Sequence, residues 1–168
     1  MQGDVGSGKT IVAFYAMVGA SGSGHQSIIT CPSSILARQH YNEFKKYAKA
    51  LGIPIFFFTG DMGKREKNRV KKAALSKENA IFVGTRSLNN LVYSKLGLLI
   101  VDEEQKEGVG SKDALLKKSQ LLPHQILMSA TPIPRTLAST VFSNFEALRI
   151  NAKPAGRKPI ITELIRDK

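Results

Sequence analysis

The sequence predicts a three-layer α/β fold in which helices cover both faces of a doubly wound parallel sheet. Three observations predict it. Short apolar runs alternate with longer helical stretches along the chain, the pattern of a parallel sheet whose crossovers are helices. The runs are continuously apolar instead of alternating, as strands buried on both faces must be. A glycine-rich turn, Gly3 to Gly8, leads straight into an apolar helix, the local arrangement by which such sheets receive an anionic ligand.

Taken in order, the candidate strands are 27–31, 54–59, 80–83, 98–101, 126–129 and 147–150. The first helix, 9–19, is almost wholly apolar after its first turn, which predicts a place in the middle of the fold and not on its surface. The second carries Leu36, Phe44, Tyr47 and Leu51 at helical spacing, with Ser33 and Ser34 as N-cap candidates and Gly52 then Pro54 closing it. A third, about 63–76, holds Lys64, Arg65, Lys67, Arg69, Lys71 and Lys72; such a run reads as a solvated face or as a nucleic-acid contact. A last helix would carry Ile133, Leu137, Val141 and Phe145. From 151 to 158 the composition turns to Lys, Pro, Ala, Gly and Arg, which marks a linker. The expected organisation is therefore one domain over 1–152 and a linker over 153–168.

Composition bounds the function without naming it. The chain has 168 residues, the size of one domain with one core. Its 42% apolar and 23% charged content exclude a disordered, collagenous or disulfide-built protein. Lys and Arg number 25 against 13 Asp and Glu, a net charge of +12, and that excess points to phosphates as partners. The single cysteine, Cys31, has no internal disulfide partner and sits at the end of an apolar run, so a packing role is expected. The apolar runs 53–58 and 96–101 are far short of the roughly 20 residues that a membrane helix needs, and no signal-peptide pattern opens the chain. No membrane partner and a cytoplasmic location are expected.

Two motifs carry the chemistry. Gly3, Asp4, Val5, Gly6, Ser7, Gly8, Lys9 and Thr10 match the Walker A pattern G-x-x-x-x-G-K-[ST], a specific signal for a nucleotide phosphate loop. Gly6 and Gly8 let the backbone turn tightly so that successive N–H groups and a helix N-terminus face phosphate oxygens. Lys9 is expected at the β- and γ-phosphates of ATP, and the Thr10 hydroxyl on Mg²⁺. Downstream, the apolar run 98–101 delivers Asp102 and Glu103 at its C-terminal end, where ligands bind in open α/β sheets. Asp102 is expected to hold Mg²⁺, and Glu103 to orient or deprotonate the attacking water.

The Asp102-Glu103-Glu104-Gln105 segment reads as the DExx motif of helicases, and its surroundings narrow the choice. The chain resembles the RecG branch of superfamily 2 DNA helicases. The resemblance rests on Gln2 to Thr10, on Ile35-Leu36-Ala37-Arg38-Gln39-His40, on Ser129-Ala130-Thr131-Pro132-Ile133-Pro134-Arg135-Thr136-Leu137 and on Gly156-Arg157-Lys158-Pro159, all in the family's order. It also resembles the transcription-repair coupling translocases, which share the extended Thr-Pro-Ile-Pro-Arg-Thr segment and have the closer DEEQ motif. Glu107 and Arg86 depart from the residues usual in the RecG family, Phe and His respectively.

This resemblance implies the first, RecA-like domain of an ATP-driven motor that remodels branched DNA, with RNA as a further possibility for the substrate. Pro32, Ser33 and Arg38, with Gly84, Thr85 and Arg86, then correspond to segments that touch the nucleic-acid backbone without reading bases. For the two arginines a plain surface charge is the competing reading. Ser129, Ala130 and Thr131 correspond to the segment that couples the nucleotide state to DNA, although a Ser and a Thr there also suit a helix cap.

The resemblance further implies a second RecA-like domain, absent from this chain, that supplies arginine fingers. Only Met1 and Gln2 precede the phosphate loop, so the sheet is expected to lack one inner strand. The chain on its own is then expected to fold marginally and to hydrolyse ATP negligibly, leaving a non-catalytic ATP- or DNA-binding remnant as the rival reading.

Overall fold

A computed structural model describes residues 1–102, 122–130 and 146–150. The chain runs β1 (Gln2–Gly3), α1 (Lys9–Gly22), β2 (Gln26–Thr30), α2 (Ser34–Ala50), β3 (Ile55–Phe58), α3 (Lys64–Leu75), β4 (Ile81–Gly84), a 3-10 turn (Arg86–Asn90), β5 (Leu96–Asp102), β6 (His124–Met128) and β7 (Arg149–Ile150). Five strands form an all-parallel sheet in the order β3-β4-β2-β5-β6. The predicted strands are all present, with ends shifted by one or two residues. The predicted last helix, the linker, Glu103 and Thr131 lie outside the described residues.

The continuous apolar strands serve two cores at once, because successive side chains point to opposite faces. Ile29, Phe57, Ile81, Val83, Leu98 and Ile100 meet Ala13, Phe14 and Met17 of α1 and Ala37, Phe44 and Ala48 of α2 on one face. Ile28, Phe58, Phe82, Leu99 and Val101 meet Val70 and Ala74 of α3, with Leu88, Leu91 and Tyr93, on the other. This is the expected three-layer arrangement.

Two helices differ from the sequence reading. In α1 the buried residues are Ala13, Phe14, Met17 and Ser21, while Tyr15 is 68% and Val12 44% exposed. The helix therefore lies against one face and is not enclosed. In α2 the buried stripe is Ala37, His40, Phe44 and Ala48, whereas Tyr47 and Leu51 face outward. The apolar count put the stripe one residue out of phase, because alanine and histidine were not weighed as core residues. Ser33 does cap α2, its hydroxyl accepting from the Leu36 N–H at 3.2 Å, and Gly52 turns the chain at φ 67°.

Strand pairing is present immediately before the phosphate loop. Gln2 and Gly3 pair in parallel with Arg149 and Ile150, and Gln2 bridges to Ser129 beyond the end of β6. The Ser129 N–H donates to the Met1 carbonyl at 3.2 Å and Gly3 donates back to Ser129 at 3.4 Å. Thus β1 and β7 form a two-stranded sheet that a single bridge at Ser129 joins to the end of β6. A cavity of about 510 Å³, lined by Ala16, Ala20, Leu96, Leu98, Leu122 and His124, opens between the second half of α1 and the beginnings of β5 and β6.

One buried polar side chain ties α3 to the sheet. The Gln26 amide donates to the carbonyls of Ala74 at 3.1 Å and Ser76 at 3.0 Å, with longer contacts to Ala73 and Glu78, and its carbonyl accepts from the Lys95 N–H at 3.2 Å. The Ala73, Ala74 and Ser76 carbonyls lie at the end of α3, where a helix has no N–H donors of its own left to satisfy them.

Candidate nucleotide and nucleic-acid site

Parallel strands bring their C-terminal ends to one edge, and the predicted site residues gather along it. Gly84 ends β4, Asp102 ends β5, and Gly3 ends β1. Cys31 and Pro32 follow β2, and Ser129 follows β6. The strand order divides this edge into two halves: β3, β4 and β2 on one side, β5, β6, β1 and β7 on the other. The predicted nucleic-acid residues fall on the first half and the predicted nucleotide residues on the second.

On the nucleotide half, Gly6 and Gly8 adopt φ 73° and 93°, left-handed values that only glycine takes without strain. Gly8 is the N-cap of α1 and offers no side chain to cap it, so the first-turn N–H groups stay available for an anion. The Lys9 ammonium folds back over the loop, donating to the Gly3 carbonyl at 2.6 Å and the Asp4 carbonyl at 3.0 Å. Gly3 is required by close packing: a Cβ there would collide with the Ser7 hydroxyl. That hydroxyl oxygen is buried without a hydrogen-bond partner among the described residues. Uncapped N–H groups, an ammonium folded over the loop and an orphaned hydroxyl fit a nucleotide phosphate. Asp4, Val5 and Gly6 are exposed at the rim, and Thr10 is half-buried in the first turn of α1.

Asp102 is buried at 7% exposure, an unfavourable place for a carboxylate unless it is paired. Its partner is His40, whose Nε2 lies 2.9 Å from Asp102 Oδ2. The sequence reading quoted His40 only as part of a resemblance. Histidine at a helical position facing the sheet was the available signal. Ser129 lies beside Gly3, exchanging backbone hydrogen bonds with Met1 and Gly3, and Ala130 follows it in the chain.

On the other half, Ser33 spends its hydroxyl on the α2 cap. Arg38 is exposed, with its guanidinium carbon 3.6 Å above the centre of the Phe57 ring, a cation–π contact that holds the charge at the surface. Beside it, the Thr59 side chain and the residue's own backbone amide, followed by Lys67 and Arg38, hold the Asp61 carboxyl below its ordinary range. Gly84 has a steric reason of its own, since a Cβ would strike the Phe58 carbonyl of β3. Thr85 and Arg86 follow at the 3-10 turn, where the Thr85 and Ser87 hydroxyls are 3.0 Å apart.

A parallel α/β sheet with a Walker A loop and a buried aspartate at neighbouring strand ends defines a P-loop nucleotide-binding domain of the RecA-like kind. Comparison with known proteins sharpens the class. Residues 1–140 match the DEAD/DEAH box helicase model, and the chain belongs to that family. It is 40% identical to the ATP-dependent DNA helicase RecG of Aquifex aeolicus over 98% of its length, and 40% identical to that of Streptococcus pneumoniae over 99%. The chain spans 21% and 25% of those relatives. A solved structure of RecG bound to a three-way DNA junction superposes with a TM-score of 0.77 and 31% identity, covering 95% of this chain and 21% of that one. A yeast Dbp5 structure, with a TM-score of 0.65 and 20% identity, shares the fold. No helix among the described residues is long and apolar enough to cross a membrane.

Proposed function

We propose that this chain is the ATP-binding motor domain of a RecG-type DNA helicase or translocase, acting on branched DNA within a larger protein that brings a second RecA-like domain. One observation carries the reading: a phosphate loop and a buried aspartate share the sheet edge with two segments that each end in an arginine, Pro32 to Arg38 and Gly84 to Arg86, on its other half. In this reading Lys9 leaves the Gly3 and Asp4 carbonyls to hold the β- and γ-phosphates, while Thr10 and Asp102 hold Mg²⁺. The bound ion supplies charge compensation on the transferred phosphoryl group. Glu103 orients the attacking water. Arg38 and Arg86 meet DNA phosphates, a contact that positions the duplex without reading its sequence.

The test is a titration with a fluorescent ATP analogue and Mg²⁺, paired with a steady-state ATPase assay of the larger protein. Lys9→Ala is expected to weaken nucleotide binding by about ten- to a hundredfold, the value of a charge-assisted contact. Glu103→Gln is expected to leave binding intact and slow turnover by about 10² or more. Nucleotide affinity indifferent to Lys9→Ala would overturn the site. Equal turnover with Gln at position 103 would reduce the domain to a binding module.

A further inference from the structure

His40 stands at the seam between the two halves of the edge, where β2 and β5 lie side by side. Its Nε2 contacts Asp102 Oδ2 at 2.9 Å across 62 residues of sequence, with both side chains buried. Against an ionised carboxylate the ring nitrogen must donate. The other ring nitrogen, Nδ1, is buried with no hydrogen-bond partner among the described residues, so this imidazole is a poorer core filler than a leucine would be. Phe44, one turn further along α2, stacks on the ring at 5.7 Å and 6° and fixes its plane. Cys31 brings a third potential ligand atom, the three lying within 4.8 Å of one another.

We propose that His40 is a positioning residue for Asp102. By occupying one carboxylate oxygen it holds the side chain in a single rotamer and leaves the other oxygen for the Mg²⁺ shell. This rests on the reading of Asp102 as the Mg²⁺-binding aspartate. The placement also gives α2 two ends of one connection. Arg38 and His40 are two residues apart, hence about 200° around the helix, so one turn of α2 presents a cation to the nucleic-acid side and a donor to the metal side. A partner of this kind typically governs metal affinity by about 10- to 100-fold.

The experiment measures the Mg²⁺ dependence of fluorescent ATP-analogue binding to the full chain for wild type, His40→Leu, His40→Gln and Asp102→Asn. His40→Leu is expected to raise the half-saturating Mg²⁺ concentration about tenfold, with Mg²⁺-free nucleotide binding unchanged. His40→Gln, whose amide nitrogen reaches as far as Nε2, is expected to restore the wild-type curve. A His40→Leu curve that coincides with wild type while Asp102→Asn shifts it overturns the positioning role alone. Should His40→Leu fail to unfold cooperatively, the shorter polar His40→Asn must show the same shift, and a wild-type curve there overturns the role equally. A flat wild-type response, or one that Asp102→Asn leaves unchanged, removes the Mg²⁺ reading and the proposal with it. A last arm uses Co²⁺: a thiolate charge-transfer band that Cys31→Ser abolishes would mean that a cation takes the place of the hydrogen bond, and would overturn it too.

Discussion

The middle of the sheet and the side beyond it, from β6 to β7, are built to different standards. In β2 and β4 every residue is buried, and in β5 all but one. In β6 only Met128 is buried, β1 contributes two half-buried residues, and β7 one exposed and one half-buried. The difference teaches that the order of strands does not by itself make a strand central. Ile126 pairs with the fully buried Ile100 of β5, yet is itself only partly buried. The phosphate loop hangs from this thinner side, while Asp102 and the segments that follow β2 and β4 are rooted in the buried middle.

The comparison breaks if equal truncations cost the same on both sides. Ile100→Ala in β5, fully buried between α1 and its neighbouring strands, is expected to cost about 2–5 kcal/mol. Ile126→Ala, partly buried in β6, is expected to cost less than half of that. Urea unfolding midpoints at constant slope decide it, and equal shifts would show that β6 is as well supported as β5.

A smaller effect sharpens the picture on the thick side. Gly84→Ala pushes a methyl group against the Phe58 carbonyl, and an overpacked contact with backbone is expected to cost about 1–3 kcal/mol. If DNA affinity falls while the unfolding midpoint stays put, Gly84 is a contact residue and not a packing one.

The smallest expected effect is on pH. Burial pushes the Tyr93 phenol well above its ordinary range, and its hydroxyl donates to the Leu88 carbonyl at 3.1 Å. Because the folded value is raised, the contribution to stability is complete below about pH 10 and is lost as pH rises beyond it, when only the unfolded state gives up the proton. The slope reaches about 1.4 kcal/mol per pH unit. Tyr93→Phe should flatten that limb relative to wild type in alkaline unfolding series; identical slopes would place the loss elsewhere.

What was legible in the sequence follows the range of the interactions. The Walker A loop is local, and eight consecutive residues specify its turn, its helix cap and its lysine. The strands were legible because burial on both faces leaves an uninterrupted apolar run. The Ser33 cap was legible for the same local reason. The pairing of His40 with Asp102 was not, since it joins a helix to a strand 62 residues away and neither residue type announces a partner. The phase of α2 was misread because its core contacts are made by Ala37, His40 and Ala48, residues that an apolar count passes over. The shortness of β1 was legible, but its retention of both neighbours depends on backbone pairing that no side chain encodes.

The Gln26 staple has a kinetic consequence. Helices fray from whichever end is least satisfied. In α3 the closing carbonyls are taken by a buried amide, whereas Gly63 gives the opening turn no side-chain cap. The helix is therefore expected to fray first at its opening turn, which makes Lys64 and Arg65 its looser end and Lys71 and Lys72 its fixed one.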